Sequence, residues 1–157
     1  MKLPAILALL AAARSLAAAT PDAPADDWRG EMLAQVNSVR ALASRPPLKL
    51  DGAADELAQR HSEYQASIDQ LTHDDSGGSL GERATRLGIR WSALAENVAV
   101  GSLTVEQTVA MWVDSPLHYA NLVGQYALAG FGRAAGNATG ARETVYWTQD
   151  FVQPLPA

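Results

Sequence analysis

The sequence predicts an α+β domain built in layers, and three observations carry that prediction. Apolar residues recur at helical spacing through most of the chain, and two β-like runs close it. The composition, 48% hydrophobic and 18% charged over 157 residues, can bury a core, and the length suits one domain. Helices first and strands last is the α+β order.

The elements follow in sequence. Trp28, Met32, Val36, Val39 and Leu42 form one helical stripe, with Asp26 or Asp27 as N-cap and Arg45-Pro46-Pro47 as its stop. A second helix is expected from Asp51 to about Asp69, with Leu57, His61, Tyr64 and Ile68 on one face. Asp74-Asp75-Ser76-Gly77-Gly78 reads as a loop, and Leu80 to Leu87 as a short helix that Gly88 ends. Ile89 to Val100 is extended or irregular. Thr104-Val105-Glu106-Gln107 is a capping box that opens a helix to about Val113. Ser115-Pro116 opens another, with Ser115 as N-cap and Pro116 at the first helical position. Tyr126 to Ala134 and Glu143 to Val152 are expected to form a hairpin around Gly136-Asn137-Ala138-Thr139-Gly140.

The first residues have the layout of a secretory leader: Lys2, an apolar run from Leu3 to Ala13, and Ala17-Ala18-Ala19 as a small-residue cleavage site, with Arg14 shortening the run. The reading is a leader over 1–19 cleaved near Ala19, a Pro-rich linker over 20–26 and a domain over 27–154. The mature protein is then secreted or periplasmic, with no transmembrane segment, because the run is too short to span a bilayer. Losing Lys2 and Arg14 would take the net charge from −5 to −7, which disfavours nucleic-acid binding. A monomer is expected. The chain has no cysteine, which removes disulfides, a thiol nucleophile and Cys-ligated metals.

There are three histidines. His61, on an apolar helix face, reads as a packed structural residue, since a buried polar group needs a partner. His73 precedes the Asp/Gly loop, where function often sits. His118 stands in the first turn of the helix opened by Ser115-Pro116. The positive helix end lowers a histidine pKa and favours the neutral ring that ligates metal or accepts a proton. Glu96 interrupts the apolar run Leu94 to Val100, so it either faces solvent or meets a donor such as histidine.

Taken in order, Val36-Asn37-Ser38-Val39-Arg40, Pro47-Leu48, Ala58-Gln59-Arg60-His61-Ser62, Leu71-Thr72-His73, Gly81-Glu82-Arg83, Ala95-Glu96-Asn97-Val98-Ala99, Trp112 to Leu122, and Tyr146-Trp147-Thr148-Gln149-Asp150-Phe151 resemble the CAP superfamily of cysteine-rich secretory, antigen 5 and pathogenesis-related proteins. The likeness spans nearly the whole expected mature chain and is greatest to the cysteine-free bacterial branch.

The resemblance implies a three-layer α-β-α sandwich with a small antiparallel sheet and a central cleft. In the eukaryotic branch that cleft holds two histidines and two glutamates. His73 and Glu96 match one of each, while the second glutamate falls at Ser115 and the second histidine at Tyr146. The bacterial branch carries a histidine at the position of His118. The implied cleft is therefore His73, Glu96 and His118, with Tyr146 nearby.

Two histidines and a carboxylate suit Zn2+ or another divalent metal with an open position, held by His73 and His118, or a hydrogen-bonded network without metal. The resemblance suggests a ligand-binding module for a lipid, an envelope component or a protein. The alternatives are a metal-assisted hydrolase with Glu96 as general base, and a structural extracellular protein. No serine has a nucleophile-elbow setting. Asn37 and Arg40 are expected to tie down the first helix, Glu82-Arg83 to pair locally or line the cleft rim, and Trp91, Trp112 and Trp147 to pack the core. Asn137-Ala138-Thr139 fits a glycosylation sequon but reads as a turn.

Overall fold

A first helix, α1 (Trp28–Leu42), begins where the Asp27 side chain accepts a hydrogen bond from the Gly30 amide. The computed structural model describes residues 27–101, 103–136 and 144–156. The expected leader, linker and sequon turn lie outside those residues. After α1 come β1 (Lys49–Leu50), α2 (Gly52–Ile68), α3 (Leu80–Arg86), β2 (Trp91–Gly101), α4 (Val105–Asp114), α5 (Pro116–Leu122), β3 (Leu128–Ala135) and β4 (Val145–Pro154). None of the described helices is long and apolar enough to cross a membrane.

Local chemistry sets the helix boundaries largely as the sequence indicates. Asp51 caps α2 through the Ala54 amide. Ser79 with Glu82 and Thr104 with Gln107 form complete capping boxes on α3 and α4. Gly88, at φ +77°, takes the left-handed position after α3 that only glycine adopts at no steric cost. Ser115 precedes α5 but makes no side-chain capping bond, so Pro116 alone marks that start. Glu82 turns to Ser79 and Arg83 to Glu96, so of the two readings of Glu82-Arg83 the mutual pair does not form and Arg83 takes the place at the cleft.

The four strands lie in the order β1-β3-β4-β2. β3 and β4 pair antiparallel, as do β4 and β2, which matches the expected hairpin and the extended reading of Ile89 to Val100. The sheet is not wholly antiparallel, because β1 runs parallel to β3. Two residues are too few to show any alternation, which is why this strand is silent in the sequence.

The ladder sorts side chains onto two unlike faces. Ala99, Ala129, Phe131, Trp147 and Phe151 join Met32, Val36, Val109, Trp112 and Leu122 in one apolar core beneath α1, α4 and α5. The opposite face carries Glu96, Thr148, Asp150 and Tyr146, and α2 covers it with His61, Ser62 and Gln65. The result is the α-β-α sandwich, with an apolar interlayer and a polar one. Trp112 and Trp147 are core residues as expected. Trp91 instead sits half-buried against Gly81 and bonds the Thr85 hydroxyl, because its strand begins beside α3.

Helix α2 lies in backbone contact with β3. A Cβ at Gly130 would fall 1.9 Å from the Ala54 carbonyl carbon, and one at Gly132 would fall 2.3 Å from the Ala58 carbonyl oxygen. Neither partner atom can move without shifting the helix. Gly130→Ala is therefore expected to destabilise the fold by about 3 kcal/mol, read as a lower urea midpoint. Gly52→Ala, whose Cβ meets nothing within 4 Å, is the control that should not.

Candidate functional site

Glu96 is the centre of the polar interlayer, and it sits on the edge strand β2. Its side chain is 4% exposed, so its charge needs compensation. Oε1 accepts a hydrogen bond from His73 Nδ1 at 3.0 Å, and Oε2 accepts one from Arg83 Nη2 at 3.0 Å. His61 Nε2 lies 3.4 Å from Oε1. The cross-strand partner of Glu96 is Asp150, and the partner of Asp150 on its other side is Gly130.

Burial raises the pKa of Glu96, but the His73 hydrogen bond, the charges of His61 and Arg83 and a hydrogen bond from Asp150 outweigh it and hold the carboxyl below its ordinary range. Asp150 behaves oppositely. Complete burial, and then the Glu96 charge, push its pKa well above the ordinary value, against a smaller opposing effect of Arg83. Neither Asp150 oxygen has a partner when both carboxyls are charged, whereas a proton on Asp150 turns the contact into a donor toward Glu96.

His61 is fully buried and holds the loop that presents His73. Its Nδ1 lies 2.7 Å from Asp75 Oδ2 and its Nε2 lies 2.8 Å from the Thr72 carbonyl oxygen. Both partners accept, so the arrangement is satisfied with a hydrogen on each ring nitrogen. Gln65 adds a bond from the Thr72 amide to its Oε1. His73 is thus clamped by neighbours on either side in sequence, while its own ring stays 58% exposed. The structural role expected for His61 is what it has, and the residue it positions is His73.

His118 enters from the other layer, around the β2 edge. Asn97 Nδ2 donates to the His118 carbonyl at 3.2 Å, and Asn121 Nδ2 donates to Asn97 Oδ1 at 2.8 Å, which locks α5 to β2. Trp112 Nε1 holds α4 to the same strand through the Val98 carbonyl. His118 Nδ1 is buried and has no hydrogen-bond partner among the described residues. Its pKa is lowered, first by burial and then by the charge of nearby His73. The direction is the expected one, with burial as its largest cause. The Glu96 hydrogen bond raises the His73 pKa more than burial lowers it.

Tyr146 shares the sheet face of Glu96 but stands apart from the histidines. It lies four residues from Asp150 on β4, about 13 Å along the strand, and its buried hydroxyl donates to Asp69 Oδ1 at 2.7 Å. Its pKa is pushed up to about 12 by burial and by Asp69. Among the described residues no group of three or more His, Cys, Asp or Glu side chains converges as a metal site. Arg83 lies at the site, in line with the cleft-rim reading of Glu82-Arg83, whereas Asp75 and Asp150 were not singled out in the sequence as parts of it. Asp150 carried a usable signal as the charge in the β-like run that ends at Val152.

The chain belongs to the family described as CAP, Cysteine-rich secretory protein family, whose profile matches residues 33–151. Solved structures agree in fold. An extracellular protein of Bacillus anthracis containing an SCP domain has a TM-score of 0.68 at 21% identity, over 85% of this chain and 45% of that one. An outer surface protein of Borrelia burgdorferi has a TM-score of 0.70 at 15% identity, over 85% of this chain and 97% of that one. A cysteine-rich secretory protein of Staphylococcus aureus has a TM-score of 0.61 at 19% identity, over 83% and 41% respectively. This chain thus spans less than half of the Bacillus and Staphylococcus proteins. No curated protein matches the sequence at a significant level.

Two titrations check the electrostatics. In histidine NMR, His73 should titrate above 6.5 and His118 below it, and Glu96→Gln should return His73 toward 6.5. The linked stability has a sign for each. The His73 contribution is complete below pH 6.5 and is lost as pH rises through its raised folded value, whereas His118 costs stability as pH falls below 6.5. Asp150 binds its proton more tightly folded than unfolded, so its contribution falls as pH climbs from 3.8 to its raised value. Asp150→Asn keeps a donor toward Glu96 and should flatten that fall in the denaturation midpoint measured against pH.

Proposed function

We propose that this chain is an exported CAP module that binds a polar ligand between His73 and His118. The observation that carries the proposal is the buried Nδ1 of His118, which has no hydrogen-bond partner among the described residues and feels the charge of His73, whose Nδ1 is bonded to Glu96. A buried polar atom with no partner is a group awaiting one. The two rings differ in charge preference, so together they offer a cationic donor and a neutral imidazole to the same occupant. A lipid headgroup, an envelope component or a protein side chain meets that requirement. Export is supported by the leader-like first residues and by relatives described as extracellular or outer-surface proteins.

A divalent metal such as Zn2+ is a second reading, favoured by the Glu96–His73 bond. A carboxylate on one ring nitrogen orients the other toward a metal and raises its basicity. His73 Nε2 and His118 Nδ1 are the atoms that would hold the ion, with ligand or water completing its shell. A bound metal would supply a Lewis-acid site. Glu96 is less suited to the role of general base: both its oxygens are engaged and its pKa is held low. The proposal is therefore binding rather than hydrolysis.

The test is histidine NMR during addition of lipid vesicles, solubilised envelope fragments or candidate proteins. Binding should move the His73 and His118 ring resonances together. A saturable interaction that moves neither ring refutes the cleft as the site. Zn2+ calorimetry decides the metal reading: His73→Ala and His118→Ala should each weaken binding at least tenfold, by loss of one of two protein ligands, and unchanged affinity in both removes it.

A further inference from the structure

A second cavity lies at the other end of the sheet. Its volume is about 910 Å3, within the usual range for small-molecule sites, and it shares no lining residue with the His/Glu cluster. It sits where β1, β2, β3 and β4 present their ends, below the last turn of α1. Its lining includes Arg40, Arg45 and Lys49 and no carboxylate, in a chain whose net charge is −5.

The cations there are not structural ion pairs. Arg40 is 1% exposed and fully inside the fold. Its guanidinium donates only to backbone carbonyls: those of Pro46 at 2.8 Å, Leu122 at 2.7 Å, Gly124 at 3.0 Å and Tyr126 at 3.2 Å. No carboxylate pairs with it among the described residues. These bonds tie α1 to the chain leaving α5, as expected for Arg40, but they leave its charge without a counter-ion among the described residues. A guanidinium does not shed its proton to escape that cost. Burial and the charge of Arg45 both push its pKa down.

Arg45 and Lys49 add two more positive charges, and neither side chain has a hydrogen bond or ion pair among the described residues. The backbone holds Arg45 in place at some strain. Ser44 occupies the left-handed region at φ 56°, where glycine is usual, in a helix-ending turn closed by Arg45 N to Arg40 O and Ser44 N to Ala41 O. Pro46, Pro47, Tyr126 and Leu128 supply apolar wall beside these charges.

We infer that this cavity binds a small organic anion, its acidic head between Arg45 and Lys49 near the Arg40 charge and its apolar body against the proline and Tyr126 wall. The anion supplies the counter-charge that no described residue provides. The site acts independently of the His73–His118 cleft.

Phenyl phosphate is the probe, with inorganic phosphate and phenol as its two halves, titrated calorimetrically into the full chain. Phenyl phosphate should bind one to one, more tightly than phosphate, while phenol should give no saturable heat. Arg45→Gln and Lys49→Gln should each weaken binding about tenfold, as expected for loss of one charge-assisted hydrogen bond, and added salt should weaken it further. Both variants should keep the wild-type melting temperature, since neither side chain packs in the core, and His73→Ala should bind phenyl phosphate normally. No saturable binding at millimolar probe, or unchanged affinity in the Arg45→Gln/Lys49→Gln double variant, overturns the inference. Equal affinity for phosphate and phenyl phosphate overturns its apolar half.

Discussion

The architecture around the site depends on compensating one buried negative charge. Glu96 sits on an edge strand, yet neighbours from four parts of the chain close over it: His61 of α2, His73 of the following loop, Arg83 of α3 and Asp150 of β4. Removing one partner of a buried pair costs about 3–5 kcal/mol, because the survivor stays charged and dry. The same charge therefore fixes α3 and the His73 loop against the sheet and raises the His73 pKa. Structure and electrostatics are not separable at this position, which is why a conservative change at Glu96 is informative through the histidines rather than through stability alone.

The two faces of the sheet divide the work. The face under α1, α4 and α5 is apolar and contains the aromatic core. The face under α2 is polar, and it tolerates that because α2 comes into backbone contact at Gly130 and Gly132, leaving little room for water between the ladder and the helix. Burial and the Glu96 charge favour the protonated form of Asp150 there. The cleft proposed as the binding site lies where this polar interlayer reaches the sheet edge, and His118 of the opposite layer feels the charge of His73 there.

The two imidazoles differ in charge preference because their surroundings differ. His73 is exposed but bonded to a carboxylate; His118 is partly buried, lacks an anionic partner and feels the charge of His73. Positions that in the eukaryotic pattern hold a second glutamate and a second histidine carry Ser115 and Tyr146 here. Ser115 leads into α5, and Tyr146 bonds Asp69 at the far end of the same sheet face.

Much of this was legible in the linear chain. Helical stripes, two capping boxes, Ser115-Pro116 and the closing β runs depend on neighbours a few residues apart, so their physics is local. The ordered motifs placed His73, Glu96 and His118 in one family frame. Other features depended on pairings across the fold. Strand β1 exists because Lys49 and Leu50 meet β3, and Trp91 left the core because its strand begins beside α3. His61 became the clamp on the His73 loop through Asp75 and the Thr72 carbonyl, and Asp150 became a proton holder by facing Glu96 across the ladder. The burial of Arg40 among backbone carbonyls was equally hidden. Periodicity reports which face a residue takes, whereas desolvation and charge pairing depend on which distant groups arrive there, and only the packed chain determines that.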